Sequence, residues 1–394
     1  MKVPYWRLSG FYGLYFALIG CIMPFWGLYL QQQSFTAADI GLLLALFSAV
    51  RIFAPNLWAS LSHYSESFIS PIQLMRLGGV LMLLCFAAIY WATEFWHYAL
   101  IMLSYGFFWS AILPQYETLT LNHIKDNLDA YSSIRLWGSI GFILMVSSLG
   151  WLFDVISIQH LPMIMLALML AIVINGLVLP AADSSICEGL DDSENDQQGD
   201  QPLEQKLVLS IGLISFLVIN VLLQITHGPY YVFFSIHLQQ LDYANWMIGL
   251  LWSLGVLAEI VIFWKIAFFT SRWTLRELVI LSLFFTMIRW FLTAYFAGNG
   301  LVLIFSQCLH AFSFGLLHVV SVKYIASFFP GKLQLQGQAL YSGLGFGLGG
   351  AIGAYLAGIA WSLGASYVFS AAALVAFLAL VIAVYGLPRE NNLS

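Results

Sequence analysis

Residues 40–53 read IGLLLALFSAVRIF and residues 248–263 read IGLLWSLGVLAEIVIF. Aligned on their shared IGLL, the two stretches set Arg51 opposite Glu259, each eleven residues in. Both are apolar runs with one ionisable residue at depth, where a charge costs about 2.5–3.5 kcal/mol or more unless it is paired, neutralised or wetted. A weaker match, SIGF at 139–142 against GLGF at 343–346, extends the repeat. Two parallel repeats about an axis along the membrane normal place equivalent helices on either side of a site near the midplane. Arg51 and Glu259 are then expected to face one central cavity.

The rest of the chain supplies the bundle around that pair. Hydrophobic residues make up 61% of it and charged ones 8%, which excludes an ordinary soluble domain and points to a polytopic, all-α membrane protein. Crossing ~30 Å of hydrocarbon takes about 20 apolar residues per helix. Twelve segments qualify, near 8–31, 38–60, 73–93, 97–121, 130–153, 160–181, 207–236, 245–267, 275–297, 299–327, 333–360 and 363–387. The first is too long, and lacks the small-residue site, for a cleaved signal peptide. Cys21, Cys85, Cys187 and Cys308 are scattered, suggesting neither disulfides nor a metal site. With no P-loop, nucleophile elbow or metal-ligand spacing, no enzymatic activity, cofactor or nucleic-acid partner is expected.

Lys2, Arg7, Arg76, Lys125, Lys206, Arg272, Arg276, Lys332 and Arg389 lie at the chain ends or in or beside even-numbered connections, while the odd-numbered ones carry no Lys or Arg. Positive loops stay cytoplasmic, so both termini are expected there. The stretch ADSSICEGLDDSENDQQGDQPLEQK holds eight of the nineteen acids and reads as a solvated linker. The chain thus divides into a bundle over 1–182, a cytoplasmic acidic linker over 183–206 and a second bundle over 207–394.

Other ionisable residues fall inside apolar segments: Glu117 in PQYETLTL, Arg135 in SIRLWGSIGF, His227 in LQITHGPYYVFF, Arg289 in FTMIRWFL, and His310 and His318 in CLHAFSFGLLHVVSVKYI. Such groups face a bundle interior or water rather than lipid. Counting ~1.5 Å per helical residue, Glu259, Arg289 and His310 reach similar mid-depth and can meet. Each has a plainer reading beside it. A histidine in an apolar helix often only bonds its neighbours, which leaves His227 and His318 open; Arg51 could be a structural partner of an acid; Tyr230 and Tyr231 could pack or face lipid; Lys265 and Lys323 can snorkel to the interface. The glycines of LYSGLGFGLGGAIGAYLAG read as close helix packing.

The chain resembles the lactose permease-like branch of the major facilitator superfamily over essentially its whole length, and more specifically its phenylpropionate permease group. Glu117 and Arg135, eighteen residues apart, match that branch's substrate-holding acid and arginine. Phe142 stands where lactose permease stacks a tryptophan on the sugar, His310 on its tenth-helix proton-pathway histidine and Arg289 on its ninth-helix arginine. Ser313 replaces the proton-binding carboxylate, and the Gly-and-charge signature between helices two and three is reduced to WASLSHYSESF. Phenylpropionate permeases share SLGVxAE, LQxxHxxYYxF, RLWGS and a second tenth-helix histidine, here carried by Glu259, by His227 with Tyr230 and Tyr231, by Arg135 and by His318.

The resemblance implies a twelve-helix major facilitator fold of two pseudo-symmetric six-helix bundles in a bacterial inner membrane, working as a monomer. It implies a proton symporter that moves a small organic solute by alternating access. Glu259, His310 and Arg289 are expected to couple protons; Glu117, Arg135, Phe142, Arg51, His227, Tyr230, Tyr231 and His318 are expected at the substrate. Three intramembrane arginines against two acids favour an aromatic carboxylate, with a sugar or nucleoside as the alternative and a non-transporting solute sensor as the rival class.

Overall fold

A computed structural model of the chain describes residues 4–65, 70–124, 128–179, 210–329 and 331–389. The linker at 183–206 and part of the WASLSHYSESF stretch lie outside the described residues. Among the described residues there is no strand, and twelve helices are long and apolar enough to cross a membrane. They are α1 (Tyr5–Gln32), α2 (Ala37–Leu61), α3 (Ile72–Trp91), α4 (Phe95–Ile124), α5 (Ala130–Leu152) and α6 (Ile158–Val178), then α7 (Ile211–Gln240), α8 (Asn245–Trp264), α9 (Leu275–Phe296), α10 (Gly300–Phe328), α11 (Gln336–Leu363) and α12 (Ala365–Gly386). The hydropathy-based segments agree with these to within a few residues.

Apolar runs without internal caps explain the lengths, and polar residues set the ends. Asp39 N–H donates to Thr36 Oγ1 at 3.2 Å while Thr36 N–H donates to Asp39 Oδ2 at 3.1 Å, a reciprocal cap that starts α2. Thr274 and Glu277 start α9 the same way. Hydropathy did not reveal the interruptions. α1 passes through a π turn at Ile22–Trp26, where Pro24 has no N–H to give. α2 breaks at Val50–Ile52, and α10 and α11 carry π turns at Ala311–Leu316 and Gly343–Gly349.

The two halves repeat in three dimensions. In the first, α1 packs on α5 and α3 on α4 and α6; in the second, α7 packs on α11 and α9 on α10 and α12. Arg76, at the start of α3, donates to the carbonyls of Gly176, Leu177 and Leu179 at the end of α6. Arg276, at the start of α9, donates to Val384 O at the end of α12. Each arginine thus satisfies carbonyls that a helix C-terminus leaves without partners.

Between halves, α2 meets α11 and α5 meets α8. The α5–α8 contact and the outer α2–α11 contact lie toward the far face, opposite the chain ends, while α2 and α11 also touch deeper, at Ile52 and Gly347. The outer contacts explain the shared Ile-Gly of the opening repeat. A Cβ on Gly41 would sit 2.6 Å from Gly358 Cα, and one on Gly249 would sit 2.5 Å from Val146 O. Within the second half, a Cβ on Gly228 of α7 would overlap the backbone of Gly353 in α11, so the expected close-packing role of the α11 glycines is what these contacts require. Gly228→Leu is expected to destabilise by ~1–3 kcal/mol or more through overpacking, read as a lowered thermal unfolding midpoint in detergent. An unchanged midpoint would mean that the two helices do not need this approach.

Candidate functional site

A cavity of about 290 Å³ lies between the halves, walled by α1, α2 and α5 on one side and α7, α8, α10 and α11 on the other. Its lining is mostly apolar, with Phe16, Phe142, Tyr230, Tyr231 and Trp252 supplying aromatic surface. The polar exceptions include Arg51 and Gln224, together with Glu259 and His310. Arg51 and Glu259, set opposite each other by the sequence repeat, do line one cavity. Concave, largely apolar sites with a few convergent polar groups are the usual form of a small-molecule pocket.

On the second-half side, three helices assemble one charge relay. Glu259 Oε1 of α8 lies 2.7 Å from His310 Nε2 of α10, and His310 Nδ1 lies 2.7 Å from the Arg289 guanidinium of α9. A guanidinium only donates, so Nδ1 must present its lone pair; the imidazole then carries its proton on Nε2 and donates it to a Glu259 carboxylate. This tautomer follows from the hydrogen-bond pattern. Arg289 and Glu259 are therefore linked through a neutral imidazole rather than touching directly.

Arg289 is fully buried, and its charge is held in place from several sides. It donates to Ser313 Oγ at 3.0 Å and to Gln307 Oε1 at 3.4 Å. Its guanidinium lies 4.3 Å from the Tyr230 ring and 4.4 Å from the Trp290 ring, within cation–π range. Tyr230 OH also donates to Gln307 Oε1, at 3.2 Å. Such a set can keep a buried charge because both terminal guanidinium nitrogens find acceptors, although Nε has none among the described residues. Removing one partner of a buried pair typically costs ~3–5 kcal/mol.

Local backbone makes the relay possible. A Cβ on Gly255, one turn before Glu259, would lie 3.1 Å from His310 Cδ2, and one on Gly315 would lie 3.2 Å from Glu259 Cγ. The two glycines let α8 and α10 approach closely enough for a carboxylate to reach the imidazole. The glycine of SLGVLAE was a visible signal for this; the roles of Gln307, Gly255 and Gly315 were missed, and Ser313 was read only as a replacement.

The remaining expected residues divide. Phe142, Tyr230, Tyr231 and Arg51 line the cavity. His227 does not: it is fully buried, with Nδ1 2.9 Å from Leu223 O on its own helix and its ring 5.1 Å from that of Trp290. His318 Nδ1 lies 3.1 Å from Tyr341 OH; the residue is not in the cavity lining, although its ring stacks 6.1 Å from that of Phe314, which is. Glu117 Oε1 and Arg135 form an ion pair at 3.0 Å. That pair is outside the cavity lining, although Arg135 lies 5.4 Å from the ring of Phe16, which is in it. With Arg135 matched to Glu117 and Arg289 linked to Glu259, Arg51 is the cavity-lining cation without a carboxylate partner among the described residues. Its guanidinium rests 5.2 Å from the ring of Phe47.

Comparison with known proteins agrees with this architecture. A protein of Escherichia coli (strain K12) named "Probable 3-phenylpropionic acid transporter" is 29% identical over 95% of this chain and 96% of its own length. The "Maltose permease" of Geobacillus stearothermophilus is 26% identical over 91% of this chain and 89% of its own. The crystal structure of the nucleoside transporter NupG has the same fold, with a TM-score of 0.79 at 18% identity, covering 97% of this chain and 99% of that one. These relatives are transporters rather than enzymes. The sequence profile of the MFS_1 like family matches residues 5–371, and the chain belongs to that family of multi-pass membrane transporters.

Proposed function

We propose that the chain is a proton-coupled symporter of a small organic anion, with an aromatic carboxylate such as a phenylpropionate-type acid as substrate. The observation that carries this reading is Arg51, a cation with no carboxylate partner among the described residues, in a mostly apolar and aromatic cavity. With Glu259 ionised, Arg51, Arg289 and Glu259 leave one positive charge at the cavity. A carboxylate would offset it through a two-pronged guanidinium contact, and the surrounding rings would cover the apolar remainder.

Proton coupling follows from the same charges. A carboxyl linked to a cation through an imidazole can gain or lose a proton with a modest change in surroundings. When Glu259 takes a proton, the Arg289 charge is no longer offset and the cavity becomes more attractive to an anion. By reciprocity of linkage, the bound anion makes Glu259 easier to protonate. Proton and anion thus enter together, the halves rock, and both leave on the other side. We place the terminal face in the cytoplasm of a bacterium, on the distribution of Lys and Arg, and the protein in the inner membrane, with the monomer as the working unit and Glu117–Arg135 as an accessory polar pair beside the site.

The second reading is a sugar or nucleoside symporter. It is supported by the maltose permease relative and by the Glu117–Arg135 pair, whose hydrogen bonds suit hydroxyls. Binding of an aromatic carboxylate, its amide and a simple glycoside to purified protein separates the two. The acid is expected to bind about ten- to a hundred-fold more tightly than its amide, the value of a charge-assisted hydrogen bond. Equal affinity for acid and amide would discard the anion reading, and a glycoside that outcompetes both would favour the second.

A further inference from the structure

We propose that Asp154 is a latch between the two halves: it closes the far face of the transporter by capping, from the first half, a helix of the second half that has no cap of its own. The inference needs neither the proposed substrate nor proton coupling.

The sequence repeat shows what α8 lacks. Aligned on Ile40 and Ile248, Thr36 and Asp39 of the α2 cap fall on Ala244, which has no acceptor, and Met247, whose thioether is only a weak one. Ala244 accordingly makes no side-chain cap. The first N–H groups of α8 turn to the other half. Asn245 N–H donates to Asp154 Oδ1 at 2.8 Å and Trp246 N–H donates to Asp154 Oδ2 at 3.0 Å, so each carboxylate oxygen takes one donor. A negative charge is most effective there, where N–H groups lack partners and the helix dipole is positive.

Neighbouring contacts direct this bond. Asn245 Nδ2 donates to Phe153 O at 3.1 Å, while its Oδ1 accepts from Gln239 Nε2 at 2.8 Å. Deeper along the same α5–α8 seam, Ser147 Oγ and Ser253 Oγ lie 2.9 Å apart. Between these polar contacts a Cβ on Gly150 would meet Asn245 O at 2.6 Å, so the backbones are as close as they can come. Because Asp154 and its two donors belong to different halves, the cap exists only while this face is shut. It therefore biases which side of the cavity is open.

The test reads that bias directly. Ser48, which lines the cavity, is replaced by cysteine in a background without Cys21, Cys85, Cys187 and Cys308. Its reaction with a membrane-impermeant maleimide is then timed from the far face of oriented vesicles. Losing an N-terminal cap shifts an equilibrium about five-fold, so Asp154→Ala is expected to speed labelling from that face about five-fold. Asp154→Asn, which keeps a single acceptor oxygen, is expected to give a smaller rise and serves if the alanine variant folds poorly.

A second pair of changes separates a latch from a purely structural cap. Ala244→Thr with Met247→Asp gives α8 the reciprocal cap that α2 has. Added to Asp154→Ala, it is expected to recover thermal stability yet leave the faster labelling in place, because the new cap is present whether the face is open or shut. Labelling unchanged in both Asp154 variants, or returned to its original rate by the α8 cap, would overturn the proposal.

Discussion

Glu259→Gln is expected to abolish accumulation of substrate against its gradient while leaving exchange across the membrane intact. Glutamine has the same shape, and its Oε1 can still accept from His310 Nε2, so the 2.7 Å contact between α8 and α10 survives. What is lost is a group that can take up and release a proton. The side chain is permanently neutral, like protonated Glu259, and leaves Arg289 without its counter-charge. Anion binding should then stay at its low-pH strength, whereas in the native protein it should weaken as rising pH ionises Glu259. Uptake into proteoliposomes under an imposed pH gradient, measured beside counterflow, tests both parts. Gradient-driven accumulation persisting in this variant would remove Glu259 from the coupling mechanism.

Arg51→Gln should have the second large effect, and a selective one. If Arg51 grips the substrate's carboxylate, its loss removes a charge-assisted contact worth ~1.5–3 kcal/mol, or about ten- to a hundred-fold in affinity for the acid. The amide analogue, which never made that contact, should bind the variant as it binds the native protein. Arg51→Lys should fall between, because an ammonium keeps the charge but not the planar fork. Titration of acid and amide against the three proteins decides it: parallel losses for both ligands would make Arg51 a packing residue beside Phe47.

Much of this was legible in the amino-acid order because helices in lipid must satisfy their own backbone and show themselves as long apolar runs. The twelve spans, the duplication and the cavity position of Arg51 and Glu259 all follow from that rule and from the cost of burying charge. Partner choice inside the site was less legible. Depth showed that Glu259, Arg289 and His310 can meet but not in what order: His310 stands between the other two, since 21 residues separate histidine from arginine and only packing decides which atoms meet. Glu117 and Arg135 were read as the substrate grip from their spacing; they do pair, beside the cavity rather than in its lining. The π turn after His310 had no sequence cue, as an extra residue per turn leaves hydropathy unchanged. Nothing in the sequence around Asp154 marks its role, because its donors lie on a helix of the other bundle.

That separation has a consequence for how the chain is made. Asp154 leaves the ribosome 91 residues before Asn245, and at ~5–20 residues per second roughly five to twenty seconds pass between them. During that interval the first bundle can insert and pack while its acceptor is still hydrated. When α8 emerges it has no cap within its own sequence, and the finished first half offers one. The earlier-made bundle thus acts as a template that orients the incoming helix, so biogenesis and gating draw on the same two hydrogen bonds.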